Sequence, residues 1–131
     1  MAAYSATPLI KKLGIKENFR CFYFRAPANY ARDLGKLPDG AKVEVDLAGQ
    51  FDFIHAFFDD AESFRAEFPR LHARLKKSGM LWISWRKGKV SDLDEAVVRA
   101  RGLGSGLVDV KICAVDEVWS GLKFVFRRKD R

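Results

Sequence analysis

Between Phe19 and Arg25 the chain reads Phe-Arg-Cys-Phe-Tyr-Phe-Arg, a run whose apolar content is nearly continuous. A strand with one wet face alternates apolar and polar side chains, whereas a run of this kind suits a central strand covered on both faces. Such a strand needs helices above and below its sheet. The rest of the chain supplies candidates.

Thr7, Pro8, Leu9, Ile10, Leu13 and Gly14 read as a short capped helix lying across the sheet, and Tyr30 to Leu34, stopped by Gly35, as another. Leu37 to Gly40 forms a turn, and Lys42 to Leu47 alternates around Val43 and Val45 like a strand near an edge. Gln50 to Phe58 is a third strand, interrupted by His55. Asp59 and Asp60 introduce a helix with Phe64, Phe68, Leu71 and Leu75 at helical spacing. Pro69 is expected to kink that helix or to start a second segment, and Ser78-Gly79 to end it. Met80 to Trp85 is the fourth strand, and Ser91 caps a helix over Asp92 to Arg101 whose acidic start and basic end match the helix dipole. Leu107 to Val115 and Leu122 to Arg127 are two strands that the short Asp116 to Gly121 stretch makes an antiparallel hairpin.

The 131 residues and 48% hydrophobic content suit one domain spanning 1–131, with 1–18 a helical segment packed on the sheet. No apolar run is long enough to cross a bilayer. Met1 to Lys12 lacks the cationic start, apolar stretch and cleavage site of a signal peptide, so the expected location is the cytoplasm. Cys21 and Cys113 lie in apolar strand-like segments without paired spacing, and read as buried free thiols. Lys and Arg outnumber Asp and Glu by 24 to 17, a net charge of +7. That balance admits a polyanion as partner, but the basic residues are dispersed and no compact basic and aromatic motif accompanies them.

From Phe19 onward the order of elements resembles a shortened class I methyltransferase fold. The features that carry the resemblance are the central first strand, the Phe51 to Phe58 strand, a helix ending Lys-Lys-Ser-Gly, a strand with Trp82 and Trp85, and the terminal hairpin. Three segments are also similar to a family of small bacterial proteins catalogued only as a domain of unknown function: Tyr4 to Gly14, Trp82 to Trp85 (W-I-S-W) and Leu107 to Lys123. That second likeness brings no activity with it. The methyltransferase resemblance implies a three-layer Rossmann-like α/β domain. Its mostly parallel six-stranded sheet has the order 2-1-3-4-6-5, with strand 6 antiparallel. Ligands of such sheets collect outside the strand carboxyl ends at the topological switch, here between strands 1 and 3.

Methyltransferases place an acidic residue and then glycines after the first strand, so that the backbone approaches S-adenosylmethionine closely. Here that stretch is Phe24-Arg25-Ala26-Pro27-Ala28-Asn29, without a glycine or an acid, and Pro27 has no amide donor. Asp46 stands where such enzymes keep a ribose-binding carboxylate, although an acidic residue at a strand end is common.

Other chemistry is poorly represented. His55 and His72 have no second ligand at metal spacing, Cys21 in mid-strand is badly placed as a nucleophile, and Asp59-Asp60 suits a helix cap better than paired catalysis. Gly102, Gly104 and Gly106 precede a strand, not a helix, and read as a flexible connector. Trp119 is expected in a turn, packed on the rim or awaiting a partner.

The expected function is therefore non-catalytic: a methyltransferase-like binding domain without S-adenosylmethionine, metal or other cofactor, whose partner is another protein or a second copy. An alternative is an enzyme or small-ligand binder for an anionic or planar molecule. Its rim would comprise Arg25, Asn29, Tyr30, Asp46, Trp85, Lys87, Asp116, Trp119 and Ser120. A further alternative is nucleic-acid binding through the basic charge. Nothing in the sequence suggests a membrane partner.

Overall fold

The computed structural model describes residues 7–88 and 90–131. Tyr4 to Ala6 of the first family-like segment, and Lys89, lie outside the described residues. The elements run α1 (Leu9–Leu13), β1 (Arg20–Phe24), α2 (Tyr30–Leu34), β2 (Lys42–Glu44), β3 (Phe51–Phe58), α3 (Ala61–Ala73), β4 (Leu75–Arg86), α4 (Glu95–Gly104), β5 (Leu107–Ala114) and β6 (Trp119–Phe126), with a short terminal 3-10 turn at Arg128–Asp130. The six strands form one sheet in the order β2-β1-β3-β4-β6-β5. Pairing is parallel from β2 to β4, and β6 is antiparallel to both of its neighbours, as the resemblance implies.

Side chains alternate across this sheet into two apolar layers. Ile54, Ala56 and Phe58 of β3 and Leu81, Ile83 and Trp85 of β4 face α3 and α4, where Phe64, Phe68, Leu71 and Val98 meet them. Phe53 and Phe57 of β3, with Met80 and Trp82 of β4, face α1 and α2, which contribute Leu13, Tyr30 and Leu34. Burial of β1 on both faces follows: Cys21 joins the second layer and Phe22 the first.

The crossover from β2 to β3 contains no helix, as the sequence reading has it. Parallel strands usually need a connection of a dozen or more residues. Here β2 pairs only from Lys42 to Glu44, so the chain descends over β1 in residues 45–50, with Leu47 packed on the first layer. Lys42 to Leu47 is therefore half strand and half loop, and Val45 stands 90% exposed. Where a helix would cover β1, the guanidinium groups of Arg25 and Arg70 lie over the Phe24 ring at 4.9 and 5.8 Å.

Several boundaries differ from the sequence reading for local physical reasons. Leu75 is not the last turn of α3 but the first residue of β4, paired with Phe51, and α3 runs as one helix through Pro69. Ser78-Gly79 lies in the strand at a register irregularity. A side chain at Gly79 would meet the Phe51 carbonyl oxygen at 2.9 Å, so glycine is what lets β4 close on β3. Asp94, not Ser91, caps α4, accepting from Val97 N at 3.0 Å, while Ser91 accepts from Leu93 N and Asp92 from Ala61 N. Asp60 caps α3 through Ser63 N at 2.8 Å, whereas Asp59 pairs with Arg86. At the start of α1, Pro8 occupies the cap position in place of Thr7. Gly102 and Gly104 are helical, not a connector, and Trp119 and Ser120 belong to β6, not to the preceding turn. Cys21 is buried, but Cys113 is only half-buried.

His55 does not interrupt β3. It is wholly buried, with Tyr30 Oη 2.6 Å from Nδ1 and Ser84 Oγ 2.7 Å from Nε2. A neutral imidazole offers one acceptor and one donor, and each hydroxyl can play either part, so the two contacts satisfy both nitrogens. Burial holds His55 in that neutral form, lowering its pKa from 6.5 to about 3, and the same burial pushes the Tyr30 phenol up.

Two stability predictions follow from this packing. In Gly102→Ala, the added methyl would run into the Phe124 ring. Thermal denaturation should therefore show a net loss of about 1–3 kcal/mol, even though alanine favours helix by roughly 1 kcal/mol. For His55, the unfolded chain takes up a proton below pH 6.5 while the native core does so only near pH 3. The site's contribution to stability is therefore complete above about pH 6.5 and falls by about 1.4 kcal/mol per pH unit on acidification towards pH 3. Urea unfolding followed between pH 7 and 4 should show this slope, and His55→Gln, whose amide can keep both hydrogen bonds, should lack it.

Candidate functional site

Ligands of open α/β sheets are held at the strand carboxyl ends where connections diverge to opposite faces. In this molecule that place is the β1/β3 junction, bordered by the β1–α2 loop, the residues after β4, and the β5–β6 turn. The β1–α2 loop turns at once, because Arg25 adopts φ 55, a left-handed conformation uncommon for a side chain this large. Ala26 then packs on the second layer, and the Pro27 carbonyl accepts from Tyr30 N at 3.0 Å.

Beneath this loop the space belongs to aromatic rings. Tyr30 is 2% exposed, set edge-on to Phe57 and to Tyr23 with centroids 5.1 and 4.8 Å away. Trp119 is 6% exposed, stands edge-on to Phe57 at 5.2 Å, and carries the Arg86 guanidinium 4.7 Å above its ring. Asp116 shapes the β5–β6 turn by accepting from Val118 N and Trp119 N, both at 2.8 Å. Its other oxygen accepts from Asn29 Nδ2 at 3.3 Å, joining the β1 loop to the hairpin across 87 positions of sequence. Lys87 N donates to Val118 O at 2.8 Å, fastening the residue after β4 to the same turn.

The nine rim residues expected from the sequence do not all converge. Asn29 and Asp116 meet, and the Lys87 backbone adjoins them. Tyr30 and Trp119 are core side chains of the second layer, while Trp85 is buried in the first, on the other face of the sheet. Ser120 pairs with Trp85 and Ala114 inside the sheet. Arg25 turns towards α3, 3.8 Å from Glu67, and Asp46 is exposed in the loop after β2.

A depression of about 320 Å³ does open at this rim, lined by Asn29, Asp33, Asp116, Glu117 and Val118. Its carboxylates set its charge: Asn29 also bonds Asp33 at 2.7 Å, and no cation lines it. An anionic ligand is disfavoured there. Among the described residues no cluster of three or more His, Cys, Asp or Glu is arranged to hold a metal ion. Nor is any helix long and apolar enough to cross a membrane.

Sequence reading singled out His55 and Tyr30 but passed over Ser84, the third member of the buried hydrogen-bonded set. Its signal was present: a lone hydroxyl inside the apolar Met80 to Trp85 run must find a partner when buried. The set has the atoms of a nucleophile, a base and an orienting group. It does not have their access, since Ser84 and His55 are both 0% exposed, and an imidazole with a pKa of about 3 is a poor base near neutrality.

No family model matches the chain, and no curated protein matches it in sequence. Solved structures do match it in fold. Magnesium protoporphyrin IX methyltransferase from Synechocystis PCC 6803, solved with bound SAH, superposes with a TM-score of 0.59 at 11% identity, over 91% of this chain and 78% of that one. The DhpI-SAH complex gives 0.63 at 11% identity over 92% and 83%. Ribosomal protein L11 methylase from Lactobacillus delbrueckii subsp. bulgaricus gives 0.59 at 15% identity over 92% and 75%. Identities this low speak for the backbone arrangement alone, and the chain thus has the α/β fold found in class I S-adenosylmethionine-dependent methyltransferases.

Proposed function

We propose that this chain is a methyltransferase-like domain that does without S-adenosylmethionine and acts by binding a partner, not by catalysis. The observation that carries the reading is the filled ground under the β1–α2 loop, where Tyr30 and Trp119 bury their rings against Phe57. A nucleoside held at this junction needs backbone amides that come close to it and a surface on which its base can lie. The loop has no glycine, Pro27 provides no amide hydrogen, and the Asn29–Asp116 bond ties the loop down onto the hairpin.

Opening that ground would expose Tyr30 and break its bond to His55, leaving the buried imidazole nitrogen without a partner. An unsatisfied buried polar group costs about 1–3 kcal/mol, and the exposed aromatic surface adds to it. Any adenosyl ligand would have to overcome both before gaining affinity. The SAH named with two of the structural neighbours belongs to those proteins; what this chain has in common with them is a scaffold.

Calorimetric titration of the full chain with S-adenosylmethionine, and separately with S-adenosylhomocysteine, tests the reading. Dilution heats alone are expected up to millimolar ligand. Saturable binding in the micromolar range would overturn it.

A further inference from the structure

One cross-sheet row runs Tyr23–His55–Trp82–Lys123–Lys111, each residue paired in register with the next. Its first three members lie under α1 and α2 in the second layer. Its last two stand on the same face of β6 and β5, beyond the edge of α1, where Lys111 Nζ donates to the Lys12 carbonyl at 3.2 Å. Like charges directly opposite one another on antiparallel strands destabilise a sheet. This pair is not relieved from within: among the described residues no carboxylate lies within 4 Å of Lys12, Lys16, Lys87, Lys111 or Lys123. Residues 1–6 contain no acid, and residue 89 is another lysine.

Other observations place these lysines around the same ground. The Lys123 amine sits above Gly14 at the end of α1 and is half-buried. Burial first, then the charges of Lys111 and Lys16, lower its pKa. The charges of Lys12, Lys111 and Lys87 all reach the half-buried Cys113, next on this face of β5 after Lys111. Among the described residues no carboxylate pairs with these amines, and such a group attracts a multiply charged anion.

We propose that the second face of the β5–β6 hairpin, centred on the Lys111–Lys123 pair and flanked by Lys12, Lys16 and Lys87, binds the phosphate backbone of duplex nucleic acid. The chemistry of the face selects this partner. All five cations are lysines, point charges that meet a repeating row of phosphate oxygens without the fixed bidentate geometry an arginine fork would impose on one carboxylate or phosphate. Trp82, the ring next to Lys123 in the row, is fully buried and cannot stack on splayed bases. Contacts to the backbone alone give binding that depends on salt and ignores sequence. The net charge of +7 draws the same partner from a distance. This inference does not depend on the S-adenosylmethionine reading, and neither result decides the other.

Fluorescence anisotropy with a labelled duplex of about 20 base pairs, titrated with the full chain at several salt concentrations, tests the proposal. Binding should weaken linearly on a log–log salt plot, with a slope near −4 if the five lysines neutralise four or five phosphates at about 0.9 each. The double variant Lys111→Gln/Lys123→Gln should reduce the slope by about 2 and weaken binding about tenfold or more at low salt. It should melt no lower than the parent, because it removes a repulsive pair. Should the double variant fail to fold, each single variant should reduce the slope by about 1. Arg128→Gln/Lys129→Gln, which removes equal charge beyond the far end of β6, should leave affinity within about twofold. Absence of binding at low salt, or equal losses in the two double variants, would overturn the proposal. Displacement of the duplex by poly-glutamate at equal charge would overturn it in favour of an acidic protein. Equal Lys111/Lys123-dependent binding to phosphatidylserine vesicles would overturn it in favour of a membrane surface.

Discussion

A single buried hydrogen-bonded set, Tyr30–His55–Ser84, fixes the relation between α2, β3 and β4. Each of its polar atoms lies where water does not reach, so each must be paired within the set or be left at a cost. Tyr30 is the first residue of α2, so satisfying His55 also sets where that helix begins and how the β1 loop approaches it. The Phe57 ring stacks on His55 at 4.2 Å and carries Trp119 on its edge, so the same set supports the β5–β6 turn. The Asn29–Asp116 bond closes the outside of this arrangement. Tyr30, Phe57 and Trp119 are thereby packed on one another near the carboxyl ends of the central strands.

The topology was legible in the sequence because it rests on patterns that survive translation into structure. The continuous apolar run of β1, the helical spacing of Phe64, Phe68 and Leu71, and the short final hairpin give the order of elements, and the likeness of that order to the methyltransferase sheet implies the strand order observed. Element ends were less legible because they depend on tertiary partners. Leu75 has the spacing of a helical residue, yet pairing with Phe51 draws it into β4. Trp119 looks like a turn residue until Asp116 tightens the turn and frees it to begin β6.

The candidate site was legible only as a neighbourhood. Loop proximity follows from strand order, and Asn29, Lys87 and Asp116 do come together. Side-chain direction does not follow from it: Trp85 and Trp119 lie at the same end of adjacent strands but on opposite faces, and Arg25 is drawn to Glu67 across its own strand. Ser84 was missed because one hydroxyl in an apolar strand looks incidental until its partner is placed beside it. The Lys111–Lys123 juxtaposition was hidden for a similar reason, since it exists only once the hairpin register, with its irregularity between Asp109 and Lys111, is known.

The fold and its interior thus point in different directions. The backbone follows proteins that hold an adenosyl cofactor, while the side chains at the corresponding junction are spent on the protein's own core. A crystal structure of the chain grown with millimolar S-adenosylhomocysteine tests this most directly. It should show Tyr30 bonded to His55, Trp119 against Phe57, and no added density over Ala26 and Pro27. An adenosyl group seated over those two residues, with either ring displaced, would contradict the account.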